Sequence, residues 1–145
     1  MALAARQLGQ SWRTYCVVGD GELNEGSNWE AAMAMAHYRL DNLVVIVDRN
    51  RCMIDGPTED VMGIEPIDAK FAAFGFEVRR VDGHDYDALH EAFEAAKVCS
   101  GRPFCIVADT VKANGIDFMA GDYRWHYGAI NEDMHGRCVA ALEEY

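Results

Sequence analysis

The sequence predicts an α/β fold of three layers, a doubly wound and mostly parallel sheet with helices on both faces. Two observations predict it. Short apolar segments rich in β-branched residues alternate along the chain with segments whose apolar positions recur at helical spacing. Residues 43–47 are apolar throughout, as a parallel strand covered on both faces should be. Such alternation is typical of βαβ units, whose ligands bind at the carboxyl ends of the strands.

Four strands are predicted, at residues 14–18, 43–47, 76–81 and 104–108. We expect all but the third to be buried, because only residues 76–81 alternate in polarity as an edge or half-buried strand does. Helices are predicted at residues 1–8, 28–40, 67–74, 85–98 and 131–145, with Gly75 ending the third and Asn131 capping the last. Residues 48–63 are predicted to be a loop. Residues 1–145 then form a single domain, and its N-terminus is expected to be truncated because the first helix has no capping residue before it.

Composition excludes several classes of protein. The net charge of −11 argues against a nucleic-acid partner, since phosphate backbones are bound by clusters of Lys and Arg. No apolar run reaches the roughly 18 residues of a membrane-spanning helix, so no membrane partner is expected. The five cysteines are an odd number without a CxxC pair, which favours reduced thiols in a cytoplasmic protein over disulfides or a zinc site.

Polar residues with ligand chemistry follow the first two predicted strands. Asp20 lies between two glycines in the segment GDGELNEG, and Asn50 follows the second strand thirty positions later. Carboxylate, amide and carbonyl oxygens are the ligands that Mg²⁺ prefers, together with phosphate and water. Asp-Gly alone is also a common turn, so a purely structural role for the first loop stays open.

The two loops resemble those of one enzyme family. A Gly-Asp-Gly followed about thirty residues later by Asn after an apolar strand is similar to the thiamine-diphosphate-binding motif. The strings GDGELNEGSNWEA and VDRNRCMIDGPTEDVM resemble transketolases in particular, above all their short, separately encoded N-terminal subunits. The resemblance implies the thiamine-diphosphate-binding fold, with thiamine diphosphate and Mg²⁺ as cofactors. It also implies transfer of a two-carbon ketol unit from a ketose to an aldose acceptor.

The resemblance assigns roles to five residues of these loops. Asp20 and Asn50 would bind Mg²⁺ through their side chains, and Cys52 through its backbone carbonyl. Gly21 would offer its backbone to the diphosphate, and Ile54 would lie against the cofactor rings. A Cys stands where the family usually has an aliphatic residue, which matters little if only the carbonyl binds.

Two further candidates are catalytic. His126 matches the histidine that transketolases direct at the cofactor diphosphate and the substrate, although a histidine in a Tyr- and Trp-rich loop is often structural. Glu25 matches an acidic residue placed at the subunit interface near the facing site, and Glu30 matches a second one. Both glutamates could instead belong to a solvated helix N-terminus, where Glu is favoured.

The resemblance also implies a partner subunit or domain, and it leaves alternative functions open. In the family a glutamate of a pyrimidine-binding C-terminal subunit or domain acts on the cofactor. This chain would therefore need that partner in a homo- or hetero-oligomer. Its substrate would be a sugar phosphate or a similar compound.

The nearest alternative functions are those of the α subunit of a 2-oxoacid dehydrogenase and of a deoxyxylulose-phosphate synthase. A non-catalytic scaffold and a nucleotide-binding domain also stay open, although the sequence has neither GxGxxG nor GxxxxGK[ST] for nucleotide binding.

Overall fold

A parallel sheet of four strands forms the centre of the computed structural model, which describes all residues from 1 to 145. The strands are β1 (Thr14–Gly19), β2 (Leu43–Arg49), β3 (Glu77–Asp82) and β4 (Phe104–Asp109), in the spatial order β1-β2-β4-β3. Each strand pairs in parallel with its neighbour, in a register that aligns Gly19 with Asp48 and Arg49 with Asp109. The carboxyl ends of the strands therefore meet at one edge of the sheet, as predicted.

Six helices connect and cover the strands: α1 (Ala2–Gln7), α2 (Gly26–His37), α3 (Thr58–Met62), α4 (Ile67–Phe74), α5 (Tyr86–Val98) and α6 (Glu132–Glu143). Gly75 ends α4 in the left-handed region at φ +97°, a conformation that residues with a Cβ rarely adopt. The side chain of Asn131 caps α6 by accepting a hydrogen bond of 2.8 Å from the N–H of Met134. Both ends were predicted, and both predictions are confirmed.

Two hydrophobic clusters lie on opposite faces of the sheet. On one face the inward-pointing residues of the strands pack with α1, α2 and α4, where Ile67 and Phe71 are almost completely buried. On the other face Val44, Phe104 and Ile106 pack against Ala92 and Ala96 of α5. Because successive side chains of a strand point to opposite faces of the sheet, one strand contributes apolar residues to both clusters. Helices on both faces confirm the predicted three-layer fold.

The prediction that β1 is buried is wrong for most of its length. Val18 is buried, but Tyr15, Cys16 and Val17 are exposed, and Val17 retains 66% of its accessible surface. β1 is an edge strand, and α5 packs mainly over β3 and β4. The ring of Phe93 in α5 meets the ring of Tyr15 edge-on, with 6.0 Å between the ring centroids. An apolar sequence predicts a strand, but the position of the strand in the sheet decides how far it is buried.

The predicted loop at residues 48–63 is also partly wrong, because it contains the short helix α3. Five residues that begin with Thr-Glu-Asp are too few to show helical periodicity. The carboxylate of Glu59 fixes the end of this helix by accepting hydrogen bonds from the N–H groups of Ile64 and Glu65, at 2.8 and 3.2 Å. No helix of the chain combines the length and hydrophobicity needed to cross a membrane.

Candidate functional site

A cavity of about 500 Å³ opens at the carboxyl edge of the sheet, between the loops that follow β1, β2 and β4. Six of the seven predicted site residues line it: Gly21, Glu25, Asn50, Cys52, Ile54 and His126. The fold brings them together from positions as far apart in the chain as Gly21 and His126, because the loops that follow parallel strands emerge at the same edge of the sheet. Glu30 does not line this cavity.

Asp20, the seventh, lies beneath the cavity and is only 2% exposed. Its backbone N–H donates to the carbonyl of Asp48 at 3.1 Å, which extends the pairing of β1 with β2 by one residue. Its carboxylate is held by the neighbouring loop: Oδ2 accepts hydrogen bonds from the N–H of Arg51 at 3.0 Å and from the hydroxyl of Thr58 at 3.1 Å. Oδ1 is buried and has no hydrogen-bond partner.

Burial raises the pKa of Asp20, and this effect exceeds the opposing one of the Thr58 hydroxyl and of the nearby backbone N–H groups of Gly21 and Arg51. The nearby carboxylate of Asp48 raises the pKa further. In the folded chain, Oδ1 of an ionised Asp20 therefore has no hydrogen-bond donor to stabilise its charge. A nearby positive charge would favour the ionised form.

The side chain of Asn50 is oriented by its neighbours. Its amide nitrogen donates to Asp48 at 3.0 Å, and its Oδ1 accepts from the N–H of Cys52, also at 3.0 Å. Asp48 is in turn held by the hydroxyl of Thr110, which follows β4. Since an amide oxygen has two lone pairs, Oδ1 can take one further ligand.

Cys52 is buried, and burial raises the pKa of its thiol, against the opposing charge of Lys112. Its Sγ lies 3.6 Å from the carbonyl oxygen of Gly121, which connects the second loop to the third. A protonated thiol is not a ligand for a hard cation. The backbone of Cys52 is therefore the part that remains for such a role.

Gly21 sits where the first and second loops touch. A Cβ at this position would lie 2.7 Å from Cγ of Met53, so any larger residue would displace the Met53 side chain or the loop that carries it. Close packing of these loops keeps Asn50 and Ile54 at the wall of the cavity.

The third loop contributes His126 and a residue that the sequence analysis missed, Lys112. His126 is the last residue of a short 3-10 helix, Tyr123–His126, and the side chain of Asp122 caps the start of this helix. Lys112 is the only Lys or Arg that lines the cavity. Lys112 follows the end of β4 closely, and this position was the one feature of the sequence that could have suggested a role in the site. A single lysine in a loop belongs to no motif, so the sequence did not identify it.

The chemistry of this edge is mixed. The lining includes carboxylate and amide side chains, a lysine and an imidazole, and the exposed side chain of Ile54 offers an apolar surface. No group of three or more His, Cys, Asp and Glu side chains is arranged to hold a metal ion. A cation here would need oxygen atoms from Asp20, from Asn50, from the backbone and from a ligand.

The fold and the cavity together define an α/β protein with a candidate ligand site at the carboxyl edge of a parallel sheet. The family described as transketolase, thiamine diphosphate binding domain, matches residues 8–139. The chain is 41% identical over 144 residues to an apulose-4-phosphate transketolase subunit of Actinobacillus succinogenes, covering 99% of this chain and 51% of that protein. It is 39% identical to a 6-deoxy-6-sulfo-D-fructose transketolase subunit of a Clostridium species, with 99% and 52% covered.

A crystal structure of transketolase from Campylobacter jejuni superposes on 98% of this chain and 23% of its own with a TM-score of 0.90, at 31% identity. This chain belongs to the transketolase family, and residues 8–139 match its thiamine-diphosphate-binding domain. It spans about half the length of the curated relatives that it matches. The predicted family and fold are confirmed, whereas the roles of individual residues stay predictions.

Proposed function

We propose that this chain is the diphosphate- and Mg²⁺-binding part of a transketolase-type transferase, which moves a two-carbon ketol unit from a ketose to an aldose acceptor. The observation that carries the Mg²⁺ site is the buried Oδ1 of Asp20, which has no hydrogen-bond partner. A buried carboxylate oxygen without a partner is costly, so this position calls for a cation. Hard oxygen ligands of the kind offered by Asp20 and Asn50 suit Mg²⁺.

The residues present fit thiamine diphosphate as well. When bound, this cofactor supplies a carbon nucleophile for carbonyl groups. The backbone of Gly21 and the ammonium group of Lys112 would hold its diphosphate, and Ile54 would pack against its rings. His126 would donate a hydrogen bond to the diphosphate or the substrate. In a chain of net charge −11, a cation and Lys112 make the cavity acceptable to an anion.

The partner in this proposal is a pyrimidine-binding C-terminal subunit or domain, joined in a homo- or hetero-oligomer. Two curated relatives are named as transketolase subunits for apulose-4-phosphate, and the chain spans about half of each. Glu25, exposed at the start of α2, would face the site of a neighbouring subunit. The relatives' names include a sugar phosphate and a sulfosugar, so we propose a sugar-phosphate-like substrate. The five free thiols fit a reducing compartment such as the cytoplasm.

The first prediction tests the site. Thiamine diphosphate is titrated, with and without Mg²⁺, into the chain combined with its pyrimidine-binding partner, and ketol transfer is then assayed. We expect Asp20→Ala and Asn50→Ala to weaken Mg²⁺-dependent binding by about 100-fold or more, because each removes an oxygen ligand of the cation. Asp133→Ala, on the exposed face of α6, is the control and should bind as the unaltered chain does.

The outcomes separate the rival functions. Binding with ketol transfer supports the transketolase function. Binding without ketol transfer, but with another thiamine-diphosphate reaction, would indicate a 2-oxoacid dehydrogenase component or a deoxyxylulose-phosphate synthase. Equal binding by Asp20→Ala and the control, or no binding by any form, would contradict the proposal and favour a scaffold.

A further inference from the structure

His84 contacts the segment that carries Lys112, although it does not itself line the cavity. It lies in the turn between β3 and α5, residues 83–85. Its imidazole Nε2 accepts a hydrogen bond of 2.8 Å from the N–H of Val111, in the segment after β4, residues 110–112. We propose that neutral His84 is a positioning residue for Lys112 and that protonation of His84 weakens binding of the diphosphate. This inference deepens the proposed function and rests on it, because Lys112 can affect a diphosphate only if the cavity binds one.

The turn between β3 and α5 fits closely against the end of β4. The N–H of Gly83 donates to the carbonyl of Asp109 at 2.7 Å, which continues the pairing of the two strands. A Cβ on Gly83 would collide with the side chain of Thr110, so a larger residue could not come this close. The N–H of His84 donates to Oδ1 of Asp82 at 2.9 Å. The imidazole is therefore attached to a turn that has little freedom to move relative to β4.

The segment after β4 is held on both sides of Val111 as well. The N–H of Thr110 donates to the last residue of β2 at 3.1 Å, and the carbonyl of Lys112 accepts from the chain beyond at 2.9 Å. Between them, the N–H of Val111 donates to His84. Ala113 follows with φ +55°, a conformation that a non-glycine residue keeps only where its surroundings hold it. The contact with His84 therefore helps to fix the backbone that carries Lys112.

The hydrogen bond from Val111 defines the protonation state of His84. A backbone N–H can only donate, so the ring nitrogen that faces it must be unprotonated, and the proton of the neutral ring must be on Nδ1. A protonated imidazole has an N–H at both nitrogens and no acceptor. It would present a donor and a positive charge to the residue next to Lys112, and the contact would be lost. Histidine is the side chain whose charge ordinarily changes between about pH 5 and pH 8.

The charged groups of the segments packed around His84 are Asp82, Asp85, Asp109 and Lys112. Asp82 accepts from the N–H of His84, and Asp85 accepts from backbone N–H groups at the start of α5. Asp109 is paired with arginines of β2 and β3. The hydrogen bonds of these carboxylates thus go to backbone groups and to arginines, and the imidazole makes its contact with Val111 instead.

The second prediction compares His84→Leu with His84→Gln in the full-length protein, assembled with its pyrimidine-binding partner. Binding of thiamine diphosphate in the presence of Mg²⁺ is measured by calorimetry. At about pH 8 we expect His84→Leu to weaken binding about 5-fold, because the N–H of Val111 loses its acceptor. His84→Gln should bind as the unaltered protein does, because its amide oxygen can accept the same hydrogen bond.

A lower pH should separate the unaltered protein from His84→Gln. At about pH 5.5 we expect the unaltered protein to bind about 3-fold more weakly than His84→Gln, whose amide does not titrate. Titration of His126 and of the cofactor phosphates occurs in both proteins and cancels in this comparison. His90→Gln, which removes an exposed histidine of α5, is the matched control and should follow the unaltered protein at both pH values.

A double variant tests whether His84 acts through Lys112. If it does, His84→Leu should weaken binding much less in a chain that already carries Lys112→Met. The hydrogen bond itself is tested without cofactor by nuclear magnetic resonance. The amide signal of Val111 should shift as the pH falls in the unaltered protein and in His90→Gln, but not in His84→Gln. Because Val111 is partly exposed, water can replace its lost partner, and thermal unfolding should show that every variant is folded.

Three results would overturn the inference: full binding by His84→Leu, equal pH dependence in His84→Gln and the unaltered protein, or an unchanged effect of His84→Leu beside Lys112→Met. Asp20→Ala separates such a failure from failure of the proposed function. If Asp20→Ala abolishes Mg²⁺-dependent binding while His84→Leu binds fully, only the inference about His84 fails. If no form binds thiamine diphosphate, the proposed function and the inference both fail.

Discussion

Lys112 is the one positively charged Lys or Arg side chain that lines the cavity, so it bears directly on how this acidic chain could bind a diphosphate. It is half-buried, it lies among the residues that line the cavity, and its charge lowers the pKa of Cys52 against the larger effect of burial. Glu22 and Glu25 line the same cavity. A bound cation and Lys112 would offset these carboxylates where the ligand carries its own negative charge.

The third prediction follows from this single positive side chain. We expect Lys112→Met to weaken binding of thiamine diphosphate by about 10-fold, equivalent to ~1.4 kcal/mol, because a charge-assisted contact to phosphate is lost. Calorimetry with thiamine diphosphate and with unphosphorylated thiamine measures the effect. Lys97→Met, on the exposed end of α5, is the control. An equal loss for both ligands would show that Lys112 does not contact the diphosphate.

At the scale of elements, an ion-pair network joins the carboxyl ends of β2, β3 and β4. Asp109 accepts hydrogen bonds from Arg49 at 2.7 Å and from Arg80 at 2.8 Å, and Arg49 also pairs with Glu65. These side chains are half-buried, which makes their interactions stronger than those of exposed pairs. Arg49 directly precedes Asn50, so the network holds the start of the loop that carries the candidate ligands.

The pKa values of the two acids in this network are lowered. The hydrogen bond from Arg80 lowers the pKa of Asp109 against the effect of burial, and Arg49 lowers it further. Burial alone would raise the pKa of Glu65, but hydrogen bonds from the N–H of Ile67 and from Arg49 outweigh it. Because folding lowers both values, their contribution to stability is complete above the ordinary pKa near 4 and is lost as the pH falls through the lowered values.

The fourth prediction tests this network. We expect Asp109→Asn to lower the free energy of unfolding at pH 7 by about 2 kcal/mol and to reduce the loss of stability between about pH 5 and pH 2. Urea unfolding at both ends of this range measures it. Asp133→Asn on α6 is the control. The raised pKa of Asp20 contributes to the pH dependence of stability with the opposite sign, but it does so in both variants and therefore cancels when they are compared. An unchanged pH dependence would contradict the role given to Asp109.

The sequence predicted the elements of this sheet well because their signals are local. β2 and β4 are apolar runs of strand length, α5 begins at the capping residue Asp85, and α4 ends at Gly75. The errors concern contacts that composition and periodicity do not reveal. β1 has the composition of a buried strand but lies at an edge, and α3 is stabilised by contacts with residues before and after it.

At the scale of the whole molecule, the distribution of apolar surface is uneven. β1 pairs only with β2, so its outer backbone groups have no neighbouring strand, and Tyr15 and Val17 remain exposed beside them. An apolar edge strand favours association with another chain, and charged residues on an edge oppose it. The net charge of −11 acts against association as a whole but is not concentrated on this strand.

The fifth prediction concerns this edge. For the chain studied by itself, we expect Val17→Lys to reduce self-association by about 10-fold in apparent constant, since a lysine disfavours edge-to-edge pairing. Sedimentation velocity over a range of concentrations measures it. Val98→Lys, at the exposed end of α5, adds the same charge away from the edge and should have little effect. Equal changes in the two variants would mean that net charge, and not the edge of β1, controls association.

The sequence by itself determined the fold class, the family and the loops in which the candidate site lies. These depend on local patterns: apolar runs, helical periodicity, caps, and the fixed spacing of Asp20 and Asn50 after two strands. Only the tertiary structure decided the strand order, the exposure of β1, the position of Lys112 in the cavity and the contact of Thr58 with Asp20. Such facts depend on which elements pack together, and residues that meet through packing have no fixed separation in the chain.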